Sequence, residues 1–199
     1  MGLGAEISTH LNACFRLLGL DAAAVEAFGT SREAARRSFI TLIWRLPFVL
    51  VIGYFSNLPF MARYEVGVGE FLAGRFVAFF LAIALTLALV NTICRLEGLS
   101  EKFYQWIVGF MWMNVLFDLI LLPVMVVPLF LTLSHDSYVL LGIFSYLLMI
   151  YGSWAFTWRI LKCNPFLAVG IAIVPFMVKG MLTDYLNIRI YGVAKPFFE

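Results

Sequence analysis

Long apolar runs separated by short polar segments make up most of the chain beyond residue 38. A helix needs about 20 consecutive, mostly apolar residues to cross the hydrocarbon core of a membrane, and five runs reach that length. They cover residues 39–61, 71–93, 105–131, 137–161 and 166–187. The pattern therefore predicts an all-α, polytopic membrane bundle of about five transmembrane helices.

The first 38 residues follow a different pattern. In "EISTHLNACFRLL", polar residues separate apolar side chains that recur at helical spacing, namely Ile7, Leu11, Phe15 and Leu18. This spacing predicts an amphipathic helix. Such a leader has two interpretations: a surface that docks a partner or lipid, or an interfacial anchor that packs under the bundle. The predicted organisation is a leader at 1–38, a five-span bundle at 39–188 and a short tail at 189–199.

The composition agrees with membrane insertion and indicates an orientation. The chain is 63% hydrophobic and 13% charged with a mean hydropathy of +0.95, whereas soluble domains are roughly 25% charged. A net charge of +2 is too small to indicate nucleic-acid binding. Most Lys and Arg residues fall on the side of the N-terminus, which predicts a cytoplasmic N-terminus and an outside C-terminus in a bacterial inner membrane. Interfacial basic residues are predicted at Arg36, Arg37 and Arg45.

Two charged residues lie inside apolar runs, where a charge costs roughly 2.5 to 3.5 kcal/mol on insertion scales. Asp118 is within "MWMNVLFDLILLP" in the third run, and Lys179 is within the fifth. Both runs should cross in the same direction, and the two residues lie at similar depth, so they can form an ion pair. Asn114, one helical turn before Asp118, completes a predicted polar seam. A seam of this kind either locks helix register or relays protons or ions.

Two further features concern the second run. Arg75, near its outer end, and Asp184, near the outer end of the fifth run, can form a second charge pair in the outer leaflet. Small residues recur four positions apart at Gly74, Ala78 and Ala82, which predicts tight packing against a neighbouring helix.

The sequence offers little catalytic or cofactor chemistry. Its three cysteines lie far apart, both histidines lie outside the apolar runs, and no phosphate-binding loop or metalloprotease motif occurs. We therefore predict a protein that is not an enzyme and carries no metal or cofactor.

Three segments are similar to bacterial five-span members of the Yip1 family. "FGTSREAARRSF" precedes a first span that contains "RLPF", "LEGLSEKFYQWIVGFMWMNVL" enters the third span, and "WAFTWRILKCNPFLAVGIAI" joins the last two. The resemblance implies a helical bundle with a cytoplasmic N-terminus. The DLYGP-type signature of eukaryotic relatives is not present, so the resemblance assigns no functional residue.

These observations favour a non-enzymatic accessory or scaffolding protein that acts through partner or lipid association. The expected partners are membrane lipids and either another membrane protein or a second copy of this chain. One alternative is a small ion- or proton-coupled transporter or channel that uses Asp118 and Lys179. A further alternative is lipid or quinone binding along the aromatic fourth span, which contains Tyr146, Tyr151 and Trp154.

Overall fold

Helices account for nearly all of the described chain. The computed structural model describes the backbone of residues 3–130 and 135–189, together with nearly all side chains within 4–124 and 140–186. No strand occurs in these ranges. The predicted tail at 189–199 lies outside them, apart from its first residue. The α-helices are α1 (Leu3–Leu18), α2 (Arg32–Ser38), α3 (Ile40–Ser56), α4 (Leu58–Arg63), α5 (Val68–Leu96), α6 (Phe103–Phe130), α7 (His135–Leu161) and α8 (Pro165–Arg189).

Five helical segments are long and apolar enough to cross a membrane. They are Arg32–Phe55, Val68–Leu96, Ser100–Val124, Leu140–Leu161 and Pro165–Leu186. The prediction of an all-α bundle with five candidate transmembrane helices is therefore confirmed. The first of these segments begins seven positions before the apolar run at 39, because Ser31 caps α2 by accepting a hydrogen bond from the Ala34 amide and α2 leads almost directly into α3.

The five long helices contact one another in a closed order. α3 packs against α6, α6 against α7, α7 against α8, α8 against α5, and α5 again against α3. Within this arrangement α6 is the most enclosed helix: 56% of the residues in its most apolar stretch are buried, against 17% for α5. α6 therefore forms the centre of the core.

The leader forms part of the same core. Residues Cys14, Leu17 and Phe28 are buried, and α1 packs against α6 and α7. Gln105 of α6 donates hydrogen bonds to the carbonyls of Val25 and Phe28 at 3.0 and 3.2 Å. This packing matches the anchor interpretation of the leader. We call the end of the bundle that carries it the leader end.

Helix length explains how a leader can pack beside a membrane span. The 28 residues of α6 extend about 42 Å, whereas the hydrocarbon core is about 30 Å thick. An α6 that crossed the hydrocarbon without tilt would extend about 12 Å beyond it. Trp106 and Trp112, at the leader end of α6, are fully buried.

The amphipathic face of α1 differs from the predicted one at a single position. Ile7, Leu11 and Leu18 pack against the core, but Phe15 is 56% exposed. His10 and Cys14 lie on the packed face instead. The His10 ring packs against the rings of Phe28 and Trp112, and Cys14 is buried.

Candidate functional site in the membrane-spanning bundle

A buried ion pair joins α3 to α6 within the candidate spans. The Arg45 Nε donates to Asp118 Oδ2 at 2.6 Å, and the two side chains are only 9% and 12% exposed. Asn114 accepts a second hydrogen bond from Arg45 Nη2 at 3.3 Å and donates to the Phe110 carbonyl at 2.7 Å. The polar groups of the pair are thus satisfied inside the bundle, as buried charges require.

Arg45 is consequently an interior residue and not the interfacial one that the sequence predicted. It is 8% exposed, and its guanidinium carbon lies 5.5 Å from the centroid of the Phe79 ring on α5. The prediction measured depth from the start of the apolar run at 39 and considered no partner for Arg45. Asp118 on α6 accepts the hydrogen bond from the Arg45 Nε, which holds the guanidinium inside the bundle.

Lys179 does not take the predicted place in the seam. The charges of Asp118, Arg45 and Arg75 act on it from neighbouring helices. Among the described residues, however, the ion pairs do not include one between Lys179 and Asp118. Asp118 is already engaged by Arg45, and Lys179 remains exposed on α8. The polar seam therefore contains Asn114 and Asp118 with Arg45 as their partner, and Lys179 beside them.

Arg75 contributes a second polar layer between α5 and α8. Its guanidinium donates to Asn57 Oδ1 at 3.1 Å and to Thr183 Oγ1 at 3.4 Å, and it lies 4.9 Å from the Phe71 ring centroid. The ion pairs between described residues do not include the expected one with Asp184, which is exposed. Consecutive helical residues point in different directions, so a Thr183 that faces Arg75 turns Asp184 away.

The small residues of α5 take part in packing to different extents. Gly74 is buried, whereas Ala78 and Ala82 are half-buried. α5 forms its most extensive contact with α8.

Sequence reasoning missed the contacts that Arg45 and Asn57 make in these two polar layers. Arg45 was assigned to the membrane surface, and Asn57 was given no role. No local pattern signals the Arg45 contact, because its partner Asp118 lies 73 positions away.

The aromatic fourth span serves partly as packing. Trp154 and Trp158 stack at 5.2 Å between ring centroids, and the Trp154 indole donates to the Pro165 carbonyl at 3.3 Å. Tyr151 donates to the Leu18 carbonyl at 3.0 Å and so holds the end of α1. Tyr146 remains 51% exposed.

At the leader end, His10 is held between two aromatic rings. Its centroid lies 5.7 Å from that of Phe28, nearly parallel, and 4.9 Å from that of Trp112. Burial lowers the pKa of the imidazole below its ordinary value, and the nearby Glu6 carboxylate partly opposes that shift. His10 is thus favoured in its neutral form, and its stacking fixes α1 on α6.

The cysteines are free thiols. Cys14 and Cys94 are buried and Cys163 is half-buried. Burial raises the pKa of the Cys14 thiol well above its usual range, so this thiol is unreactive. Within the described residues, no group of three or more His, Cys, Asp or Glu side chains could hold a metal ion.

A shallow groove of about 530 Å³ lies where the leader meets the first span, and we call it the leader groove. Arg36 and Arg37 line one part, and their side chains are 80% and 71% exposed. Each guanidinium is 3.4 Å from the same Glu33 carboxylate. The remaining lining residues are Glu6, Phe39, Ile40 and Ile43. Charged and apolar surface therefore meet in one depression.

No family model, curated protein or solved structure matches this chain. The resemblance to the Yip1 family stays a prediction.

Proposed function

We propose that this protein is a non-enzymatic accessory component of a bacterial inner membrane, which acts by association and holds anionic lipid at the leader groove. The observation that carries the proposal is the composition of that groove. Two exposed guanidiniums share a single carboxylate partner, Glu33, immediately before an apolar helix start. This order of groups matches a lipid, whose anionic headgroup is followed by acyl chains.

The order of basic and apolar residues along the groove supports the same ligand. Arg36 and Arg37 belong to α2, Phe39 caps the start of α3, and Ile40 and Ile43 follow within its first turn. Ile43 is 66% exposed, so the lower part of the groove offers apolar surface to an acyl chain. Basic residues attract anionic headgroups by about 1 kcal/mol each near a membrane surface. The packed leader holds this surface in place.

The distribution of charge supports a cytoplasmic N-terminus as part of this proposal. Arg95 ends α5, and Lys102 precedes α6 and donates to the Leu161 carbonyl at the end of α7. These basic residues share the leader end with Arg36 and Arg37, as the positive-inside rule requires of a cytoplasmic face.

The test is lipid retention by the purified full-length chain. We expect native mass spectrometry of protein from mixed phosphatidylglycerol and phosphatidylcholine nanodiscs to show preferential retention of phosphatidylglycerol. The double variant Arg36→Gln, Arg37→Gln should lose that preference, because it removes both headgroup charges. Arg95→Gln is the matched control, since it removes an exposed charge at the same end outside the groove. Equal retention of both lipids by the wild-type chain would contradict the lipid assignment.

The accessory role has its own test. Extraction in a mild detergent, followed by size determination and mass spectrometry of co-purifying proteins, should give a stoichiometric partner or a second copy of this chain. A species that is always a single chain would contradict the accessory role while leaving the lipid groove in place.

A transporter is the second candidate, because exposed Lys179 lies beside the buried Arg45–Asp118 pair. Proteoliposomes with an imposed proton gradient would test it. A flux that Lys179→Met abolishes and Lys162→Met preserves would favour transport. The absence of flux in wild-type protein would leave the accessory role as the stronger candidate.

A further inference from the structure

The leader groove contains an acidic residue as well as two basic ones. Glu6 of α1 lines it together with Arg36 and Arg37 of α2. The two arginines already face the Glu33 carboxylate, each at 3.4 Å. Among the described residues, Glu6 makes one ionic contact, from its Oε1 to His10 Nε2 at 3.9 Å. That distance is too long for a hydrogen bond, so the Glu6 carboxylate keeps free acceptor positions at the groove.

His10 does not neutralise this carboxylate. Its ring is held between Phe28 and Trp112, with centroids 5.7 and 4.9 Å away, and its side chain is 13% exposed. Burial in this aromatic contact lowers the pKa of the imidazole, so His10 is mostly uncharged near neutral pH. The Glu6 side chain is 35% exposed and lines the groove. A negative charge therefore lies in the same depression as the two guanidiniums.

The three charged side chains require different groups on a ligand. A guanidinium donates hydrogen bonds and a carboxylate accepts them. Phosphate oxygens suit Arg36 and Arg37 but carry the same charge as Glu6, which repels them. A headgroup that satisfies all three side chains therefore carries a hydrogen-bond donor beyond its phosphate. The groove, at about 530 Å³, has room for such a headgroup.

We infer that Glu6 selects, among anionic lipids, those whose phosphate is esterified with a polyol such as glycerol. The phosphate contacts Arg36 and Arg37, a headgroup hydroxyl donates to Glu6, and an acyl chain follows the apolar surface of Ile40 and Ile43. The inference rests on the proposed function, in which the ligand is anionic, and deepens it by naming the headgroup. An ammonium would also pair with Glu6, but it would leave the headgroup without a net charge.

The experiment is a competition between lipids for the purified full-length chain. Nanodiscs of phosphatidylcholine contain equal amounts of phosphatidylglycerol, phosphatidic acid and phosphatidylethanolamine, and native mass spectrometry at neutral pH measures which lipids stay bound. We expect wild-type protein to retain phosphatidylglycerol over phosphatidic acid by about three- to tenfold, since a hydrogen bond to a partly exposed charged group contributes that much. Glu6→Gln and Glu6→Ala should each lose this selectivity, because neither leaves a charge that repels phosphate. Glu26→Gln is the matched control, since Glu26 is an exposed leader carboxylate outside the groove.

The outcomes distinguish this inference from the proposed function. Equal retention of phosphatidylglycerol and phosphatidic acid, both above phosphatidylcholine, overturns the role of Glu6 and leaves the anionic-lipid groove in place. The absence of any preference for anionic lipid overturns both. Selectivity that persists in the Glu6 variants, or is lost equally in Glu26→Gln, overturns the inference alone. Retention of phosphatidylethanolamine above phosphatidylglycerol that depends on Glu6 assigns an ammonium to this residue and overturns the hydroxyl.

Discussion

Removing one partner of the Arg45–Asp118 pair should destabilise the bundle strongly and asymmetrically. At an effective dielectric constant of about 20, charges 2.6 Å apart attract by about 6 kcal/mol. Taking both ions out of water costs several kcal/mol each, so the intact pair contributes little net stability. Loss of one partner leaves the desolvation cost of the other uncompensated, which typically amounts to about 3 to 5 kcal/mol.

The asymmetry follows from proton chemistry. A guanidinium stays charged under all ordinary conditions, whereas a buried carboxylate that has lost its partner can take up a proton. We therefore expect Asp118→Asn, which strands Arg45, to fall at the upper end of that range and Arg45→Met at the lower end. The double variant Arg45→Met, Asp118→Leu should unfold within about 2 kcal/mol of wild type, because neither charge remains.

The assay is reversible unfolding in mixed micelles, followed by tryptophan fluorescence. Arg95→Met, an exposed arginine at the end of α5, is the control and should change stability by less than about 0.5 kcal/mol. Asp118→Asn should be rescued by Arg45→Met and not by Lys179→Met, since Arg45 is the residue of the described part of the chain that bonds the carboxylate. Additive costs for Arg45 and Asp118 substitutions, or rescue by Lys179→Met alone, would refute the pairing.

Three further predictions concern the leader and the core. Folding lowers the pKa of His10 below its ordinary value of 6.5, so the unfolded state binds more protons. Leader docking should therefore be fully stable above pH 6.5 and weaken as the pH falls below it. Hydrogen exchange of α1 should show this dependence, and His10→Phe should abolish it. Gly152→Ala should cost about 1 to 3 kcal/mol, because its Cβ would lie 2.7 Å from Phe117, whereas Gly180→Ala, in open space, should not be destabilising in the same unfolding assay. Gln105→Met should leave two leader carbonyls without their donor and lower the free energy of unfolding by about 1 to 3 kcal/mol. Limited proteolysis of the leader should accelerate, and unchanged cleavage would contradict this role of Gln105.

The sequence predicted the architecture because membrane thickness constrains it directly. An apolar run of sufficient length has few alternatives to a spanning helix, so five runs became five candidate spans. The same runs could not determine charge pairing. Arg45 and Asp118 are 73 positions apart, and their contact depends on which faces α3 and α6 turn toward each other. Depth along a span does not select between two cations, Arg45 and Lys179, as the partner of one carboxylate.

The leader and the ion pair share a single helix, because Trp112 and Asp118 both belong to α6. His10 packs on Trp112, Trp112 meets Trp44 edge to face at 6.1 Å, and Trp44 precedes Arg45 in α3. Leader, α3 and α6 are therefore joined by aromatic contacts, and the Arg45–Asp118 pair joins α3 to α6 a second time. Lys179 lies outside this network on α8, which packs mainly against α5 and α7. A relay that required Asp118 to change its charge would disrupt the ion pair that holds α3 on α6. The geometry consequently favours a structural role for Asp118.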